Sequence, residues 1–400
     1  MTRYWPAIAI LLAGTAPVWA TPNFDECAAN AASRYEVGYE NLAREGFDGD
    51  SYLATDPCMA ALAEDPGNAQ LRTWLGAAYY ESGDYENAIP LLEDAVFKGN
   101  PRAMQVLGNA LVLGKGIAGD AARGTSLLKT AAEAGYAPAM LGLGYSYEFG
   151  DGIAADPAQA YQWYHAAAER GMRSASLRVG NMLAAGRGVQ QSDAEAMAWW
   201  LNAAEAGLAP AQYLAAQFYY SGRGVVVDYA RAADLFLKAS EQGHRDASVA
   251  YAYMLAQGLG TAPDAASAVP QFEEAAQKKS ALAAFDLATM LEDGTGTDRD
   301  LVRAHDLYLE AAMGGEMRAA NNLALMYLNG AGGPIDNGEA FRWLTTAANA
   351  GNAAAMNNLG RVYELGLGTS ADPAQARQWY GAAAAAGYPL AAGNLAHIGG

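Results

Sequence analysis

Residues 139–171, AMLGLGYSYEFGDGIAADPAQAYQWYHAAAERG, contain a pattern that recurs along most of the chain. The second half of this stretch, from residue 156, returns as DPAQARQWYGAAAAAG at 372–387. Self-similarity at a fixed period is typical of repeat proteins. Alanine marks the period by recurring every 36 residues, at positions 103, 139, 175, 211, 247, 283, 319, 355 and 391. The chain therefore contains eight full repeats over residues 101–388.

Each repeat is predicted to contain two helices. Ala139, Leu143 and Tyr147 recur at helical spacing, and Gly150 ends that first helix. Gly150 is also the first member of a Gly-x-Gly loop that keeps the same period. The first glycines of these loops stand at 114, 150, 186, 222, 258, 294, 330 and 366.

The second helix is predicted to begin at Asp156, whose carboxylate caps exposed backbone N–H groups. Pro157 suits the first helical position, and Gln159 completes a predicted capping box. Good capping residues hold the same position in the other repeats, at Asp120, Ser192, Asp228, Asp264, Asp300, Asp336 and Asp372. This helix ends at a glycine that tolerates the left-handed conformation, except in the one repeat where Lys279 replaces it.

Large apolar side chains occupy the registers of Trp163 and Tyr164 in the second helices. Leucine replaces the aromatic residue in several repeats. Packing tolerates that exchange, whereas stacking on an aromatic ligand would not. Both registers are therefore predicted to form core.

Antiparallel helix pairs with alanine and glycine at their contacts can stack closely on their neighbours. One such pair cannot bury its own apolar faces, but a stack can. The predicted fold is an all-α solenoid of about ten helix pairs.

The motif A-x3-LG-x2-Y-x2-G-x-G followed by D-x3-A-x2-WY-x2-AA-x2-G resembles the Sel1-like repeat family, a relative of the tetratricopeptide repeats. The resemblance covers residues 101–388. It implies a right-handed α/α superhelix whose members act mostly as interaction scaffolds, often in bacterial envelopes or in secretion.

Three shorter segments flank the repeats. Residues 1–20 are predicted to be a signal peptide, and 21–100 a tetratricopeptide-like capping region. Residues 389–400 supply half of a first helix. This end lacks a polar cap, and it is covered by a partner or by a second copy in a dimer, or it frays.

The N-terminal segment resembles a secretory signal. Arg3 precedes a short apolar run at 7–16, and Val18-Trp19-Ala20 is a suitable cleavage site. The run is too short to span a bilayer. We therefore expect a periplasmic or secreted protein without an integral membrane segment after cleavage; the alternative is an uncleaved anchor.

The chain has two cysteines, Cys27 and Cys58. In an oxidising compartment, two cysteines in one small segment most simply form a disulfide. The alternative is a pair of reduced buried cysteines, and a redox role is disfavoured because no C-x-x-C is present.

Acidic residues outnumber basic ones, with 43 Asp and Glu against 25 Lys and Arg and a net charge of −18. Such a surface repels nucleic acid and anionic lipid and favours a basic or neutral partner.

No motif predicts catalysis, a cofactor or a metal. Residues 114–119 match a dinucleotide fingerprint but follow no strand. Residues 126–129 match S-x-x-K without its partner motifs. The four histidines share no register, and the acids at 293, 298 and 300 lack the EF-hand spacing.

The resemblance to tetratricopeptide repeats implies that first helices line a concave groove. Non-core positions of these helices would then contact a protein or peptide partner. The predicted contact residues are Tyr145, Glu148, Tyr213, Gln217, Tyr220, Tyr253, Phe285, Asn321 and Asn357. The alternative is that some of these rings pack against the adjacent repeat, and both interpretations stay open at this point.

Three functions remain as hypotheses. The first is a non-catalytic adaptor of the periplasm that holds or regulates an envelope, secretion or signalling protein. The second is a secreted factor that engages a host or cell-surface molecule. The third is a β-lactam or cell-wall hydrolase, which is disfavoured because the cysteine pair in each repeat of the β-lactam-linked members of the family is missing here.

Overall fold

The computed structural model describes residues 21–33, 35–36 and 54–399, so the predicted signal peptide lies outside the described residues. Within those ranges the chain forms 21 α-helices and no strand. The predicted all-α solenoid of about ten helix pairs is confirmed. Among the described helices, none is both long enough and apolar enough to cross a bilayer.

The helices fall into an N-terminal group, eight repeats and a terminal helix. The N-terminal helices are α1 (Pro22–Ala31), α2 (Thr55–Glu64), α3 (Ala69–Ser82) and α4 (Tyr85–Phe97). The first helices of the repeats are α5 (Pro101–Leu113), α7 (Ala137–Phe149), α9 (Arg173–Ala185), α11 (Ala209–Ser221), α13 (Arg245–Gln257), α15 (Ala281–Asp293), α17 (Met317–Asn329) and α19 (Ala353–Leu365). The second helices are α6 (Ala121–Glu133), α8 (Pro157–Glu169), α10 (Asp193–Glu205), α12 (Tyr229–Glu241), α14 (Ala265–Gln277), α16 (Leu301–Met313), α18 (Asn337–Asn349) and α20 (Pro373–Ala385), and α21 spans Ala391–Gly399.

The chain divides into two compact units, of which the first ends at Asn202 and the second begins at Ala203. In the first unit α5 packs on α6 and α7 on α8, and in the second unit α11 packs on α12, α13 on α14, α15 on α16, α17 on α18 and α19 on α20. Alanine, leucine and one large residue from each of α14, α16 and α18 fill the core over repeats five to eight.

The predicted caps form, but the predicted capping box does not. The Asp156 side chain accepts hydrogen bonds from the backbone N–H groups of Ala158 and Gln159. The Gln159 amide donates instead to Gln162. It has no partner at the cap because the Asp156 N–H already donates to the carbonyl oxygen of Tyr147, at 2.8 Å. In all eight repeats the N–H of the capping residue donates to the carbonyl oxygen of the residue nine positions earlier, and this bond closes the loop.

The predicted helix ends are also present. Gly150 adopts the left-handed conformation, and so do the equivalent glycines after the other first helices. After the second helices, Lys279 takes this conformation with φ 66°, as the sequence register requires. Among the described residues, it is the one non-glycine with positive φ.

The second glycine of the Gly-x-Gly loop contacts the preceding repeat. A Cβ at Gly152 would overlap the backbone of Ala121, and a Cβ at Gly188 would overlap that of Pro157. The equivalent contact recurs in the second unit, where Gly332 meets the carbonyl of Leu301. The loop of each of these repeats therefore rests on the start of the second helix of the repeat before it.

The register of Tyr164 forms the core as predicted, and Tyr164 itself is fully buried. Gly144 lies opposite Tyr164 and allows the two helices to approach each other closely, since a Cβ at Gly144 would overlap the Tyr164 ring. The equivalent buried side chains are Leu128, Trp200, Phe236, Phe272, Tyr308, Leu344 and Tyr380. The side chains in the register of Trp163 are only half-buried, so the prediction that they form core overstates their burial.

The predicted disulfide is confirmed. Cys27 on α1 and Cys58 on α2 are bonded, and both are fully buried. They lie in a small core with Phe24 and Trp74, whose ring centroids are 5.7 Å apart. The disulfide therefore joins two short helices that share a limited apolar core.

Candidate partner-binding pocket

The first helices of repeats four and five bring four of the predicted contact residues together. Tyr213, Gln217 and Tyr220 on α11 and Tyr253 on α13 line a pocket of about 410 Å³ in the second unit. We call it the tyrosine pocket. Its other lining residues are Phe236, Asp246, Val249, Ala250, Met254, Ser280, Leu282, Asp286 and Arg318. A volume of this size falls within the range of small-ligand sites.

Tyr213 is held in place by three neighbours. Its hydroxyl accepts a hydrogen bond of 2.7 Å from the Gln217 amide. Its ring stacks on His244 at 4.5 Å between centroids and lies 5.8 Å from the Phe236 ring. Burial raises the pKa of the Tyr213 hydroxyl, and the charge of Asp246 adds to that shift. Tyr213 therefore presents a fixed, neutral ring to the tyrosine pocket.

Tyr220 and Tyr253 are more open to solvent, with 36% and 39% of their surface exposed. Burial raises the pKa of the Tyr220 hydroxyl, and Tyr253 contributes to that shift through a hydrogen bond. Aromatic rings that are partly exposed around a cavity supply apolar area together with a polar hydroxyl. Such rings suit the contact surface of a partner.

Two carboxylates also line the tyrosine pocket. Within the described part of the chain, neither the Asp246 nor the Asp286 side chain makes a hydrogen bond or an ion pair. The guanidinium of Arg318 is paired elsewhere, because both of its ends lie 2.9 Å from the Glu316 carboxylate. Arg318 also lies over the Phe285 ring, with its Cζ 4.4 Å from the centroid. The pocket thus combines aromatic rings with two carboxylates that have no hydrogen-bond or ion-pair partner among the described residues.

Burial raises the pKa of the Asp286 carboxyl to about 6, an effect that Arg318 opposes and Glu316 reinforces. The folded state therefore holds the Asp286 proton more tightly than the unfolded chain does, where the carboxyl has its ordinary value of 3.8. Stability consequently falls as the pH rises from about 4 to about 6. At neutral pH the charged Asp286 destabilises the fold.

Asp286→Asn is accordingly expected to raise the free energy of unfolding at pH 7 by about 1 to 2 kcal/mol, since the neutral amide removes that penalty. The gain should shrink as the pH is lowered towards 4. Urea unfolding at several pH values measures it. Asp298→Asn is the control, because it removes the same charge from an exposed loop. A gain that does not change with pH would contradict the burial argument.

Phe285 and Tyr145 lie outside the tyrosine pocket. Phe285 on α15 supports Arg318 and lies 5.9 Å from the Tyr308 ring. Tyr145 on α7 lines a separate, largely apolar pocket of about 460 Å³ in the first unit. Arg178 covers the Tyr145 ring at 4.8 Å and donates to its hydroxyl at 3.1 Å.

Glu148 is buried and committed within the first unit. Its carboxylate accepts hydrogen bonds of 2.7 Å from the Tyr164 hydroxyl and 2.8 Å from Arg187. The same Tyr–Glu bond joins Tyr308 to Glu292 and Tyr380 to Glu364. The structure therefore assigns Glu148 to the link between the two helices of a repeat, and not to an open groove.

Asn321 and Asn357 are also buried, with 7% and 5% of their surface exposed. The amide of Asn358 donates to Asn321 Oδ1 at 2.8 Å, and that of Asn394 donates to Asn357 Oδ1 at 2.8 Å. These asparagines join consecutive repeats. The prediction that they bond an extended peptide backbone has no support in this arrangement.

Sequence reasoning missed Asp246, Asp286 and Arg318. Asp246, Leu282 and Arg318 occupy the same position in three consecutive repeats. This position lies three residues before the one that Tyr213 and Phe285 occupy in their repeats. One turn of helix separates such positions, so they face the same side. Comparison of this register across repeats would have found Asp246 and Arg318, but not Asp286, which follows Phe285 in another register.

The two short motifs that resemble nucleotide-binding and S-x-x-K signatures lie in a loop and a helix of the first repeat. Residues 114–119 connect two helices, α5 and α6. Lys129 is exposed on α6 and forms an ion pair of 3.9 Å with Glu133. In the part of the chain that the structure describes, no three His, Cys, Asp or Glu side chains converge as metal ligands would.

Comparison with known families finds eight consecutive matches to the Sel1 repeat. The matched segments are 101–136, 137–172, 173–208, 209–244, 245–279, 281–316, 318–352 and 353–388. They cover more than half of the chain and follow the 36-residue period. No curated protein matches the chain.

Two solved structures are similar over most of their length. One is a protective antigen present in uropathogenic Escherichia coli strains, which displays an SLR fold. It is 27% identical, with a TM-score of 0.64, and the match covers 93% of this chain and 88% of that one. The other is a Sel1 repeat protein from Oxalobacter formigenes, 29% identical with a TM-score of 0.61, for which the match covers 78% of this chain and 90% of that one.

Proposed function

This chain belongs to the Sel1 repeat family, and from that premise we propose that it is a non-catalytic scaffold of the bacterial periplasm that binds a protein partner through the tyrosine pocket. Solenoids of this kind typically serve as scaffolds for protein–protein interaction. The proposal assigns no reaction and no cofactor to the chain.

The tyrosine pocket is the observation that carries this proposal. Most of its lining comes from consecutive first helices, and three tyrosine rings surround it. Aromatic residues around a cavity are the commonest hot spots of protein interfaces because they bury much area with few rotatable bonds. The partner would gain most of its affinity from Tyr213 and Tyr253.

Two features support the proposed location. The segment at 1–20 has the composition of a secretory signal. The Cys27–Cys58 disulfide fits an oxidising compartment such as the periplasm.

The double variant Tyr213→Ala/Tyr253→Ala is expected to reduce recovery of the partner by about tenfold or more, because it removes two central rings of the contact. Affinity capture from an envelope extract with mass spectrometry measures the recovery. Phe97→Ala serves as the control, since Phe97 is an aromatic residue that is 90% exposed and lies outside the pocket. Full recovery with the folded double variant would exclude the tyrosine pocket as the binding site.

A second candidate function is a secreted factor that engages a host or cell-surface molecule. The similar protein from uropathogenic Escherichia coli is a protective antigen, which favours this alternative. Assay of the protein in culture supernatant and in periplasmic extract distinguishes the two locations.

We also propose that the chain forms a dimer through its C-terminal end, since Leu390 before α21 is 64% exposed. Size-exclusion chromatography tests this proposal.

A further inference from the structure

We propose that the tyrosine pocket accepts an arginine side chain from a basic segment of the partner, with the guanidinium paired to Asp286 and stacked on Tyr253. This inference rests on the proposed function and specifies the chemistry that the pocket selects. It follows from the charge, the burial and the rings of the pocket.

The charge of the tyrosine pocket favours a cationic ligand. Asp246 and Asp286 line the tyrosine pocket without a partner of their own in the described chain. Arg318, the cation of the lining, forms a two-pronged pair with Glu316, so it acts on Asp286 through its charge but donates to neither aspartate. A second guanidinium entering the pocket would compensate the unpaired carboxylates through charge-assisted hydrogen bonds.

The tyrosine rings of the pocket favour a planar cation. Tyr213, Tyr220 and Tyr253 surround the same cavity that holds the two carboxylates. A cation over the face of a tyrosine ring is attracted by the negative face of the π system, and arginine stacks there because its guanidinium is planar. The chain already shows this contact, since Arg318 lies over Phe285 at 4.4 Å and Arg178 over Tyr145 at 4.8 Å.

The net charge of the chain and the volume of the pocket favour a basic segment of a protein partner. A chain with a net charge of −18 attracts basic segments and repels acidic ones. A volume of about 410 Å³ exceeds what one side chain fills, so the residues beside the arginine would enter the pocket as well. The occupant is therefore an arginine within a basic stretch of protein.

The charges that face Asp286 come from two neighbouring helices. Asp246 and the Tyr253 hydroxyl lie on α13, and Arg318 lies on α17 with Glu316 at its cap. Burial keeps part of the Asp286 carboxyl protonated near pH 6. Binding of a guanidinium should therefore weaken below that pH and strengthen above it.

The test uses the full chain and three fluorescein-labelled peptides, each a Gly-Ser sequence with three identical guest residues. The guests are arginine, lysine, and citrulline as the neutral isostere of arginine. Fluorescence anisotropy at pH 7.5 is expected to show about tenfold tighter binding of the arginine peptide than of the citrulline peptide. Equal affinity for arginine and citrulline would overturn the proposal.

Three variants locate the effect. Asp286→Asn is expected to weaken the arginine peptide about fivefold to tenfold and to leave the citrulline peptide unchanged. Asp298→Asn, the charge-matched control in an exposed loop, should change neither by more than about twofold. If Asp298→Asn weakens binding as much as Asp286→Asn, general acidity and not the pocket attracts the peptide. Tyr253→Ala should weaken the arginine peptide as well.

The two proposals fail in different ways. If the tyrosine variants lose the captured partner while Asp286→Asn retains it with full affinity, the scaffold function stands and the arginine assignment is wrong. If the tyrosine variants retain the partner, the pocket is not the binding site. A lysine peptide that binds more tightly than the arginine peptide would also reject the assignment of arginine.

Discussion

Gly332→Ala is expected to lower the free energy of unfolding by about 3 to 4 kcal/mol, because the added methyl group combines two penalties. Gly332 has φ 74°, where a Cβ is strained. The ideal Cβ would also overlap the carbonyl oxygen of Leu301 and approach the Cβ of His305 at 3.0 Å. Neither obstacle is a flexible side-chain end, so the two repeats must separate.

Gly315→Ala is the matched control for this prediction. Gly315 has φ 93°, but no atom lies within 4 Å of its ideal Cβ. Only the conformational penalty remains, so the expected loss is about 1 to 2 kcal/mol. Thermal unfolding together with amide hydrogen exchange in α16 and α17 measures both variants. Equal losses for the two variants would show that the contact with Leu301 does not hold the repeats together.

The double variant Cys27→Ala/Cys58→Ala is expected to destabilise the N-terminal helices by about 3 to 4 kcal/mol, as loop-closure entropy predicts for this separation. The two cysteines are 31 residues apart, and both are fully buried. Helices α1 and α2 have ten residues each, which is too short for independent stability in water. The folded state of these two helices therefore depends on the disulfide and on the core around Trp74.

Amide hydrogen exchange resolves this effect from the rest of the stack. Exchange should accelerate in α1 and α2, while amides of α17 and α19 in the other compact unit serve as the internal control. Dithiothreitol should reproduce the change in the wild-type chain and leave the double variant unaffected. Unchanged protection of α1 after complete reduction would contradict the prediction.

The sequence predicted the fold well because steric and capping requirements repeat with the period. Asp156 caps its helix and Gly150 ends the preceding one, as their local chemistry requires. Even Lys279, which departs from the pattern, keeps the left-handed backbone. These features depend on backbone geometry within one repeat, which a single sequence reveals.

The site was predicted less completely because it depends on which side chains find partners. Glu148 holds a position that the sequence predicts to face the groove, but its carboxylate accepts a hydrogen bond from the Tyr164 hydroxyl. The sequence does contain a signal for this bond, since glutamate precedes a core tyrosine by 16 residues in three repeats. Asp286 was missed because the sequence pattern marked its neighbour Phe285 as the contact residue, whereas the structure places Asp286 in the lining of the pocket.

The contact of loop glycines such as Gly188 and Gly332 with the repeat before them also bears on how such a chain can evolve. At Gly188 the three nearest atoms, and at Gly332 the two nearest, belong to the main chain at the start of a helix. An in-frame duplication or deletion of one whole repeat would therefore recreate the same junction without a compensating substitution. Repeat number can change by a single genetic event, while the side chains of the tyrosine pocket diverge independently of the joints that hold the stack.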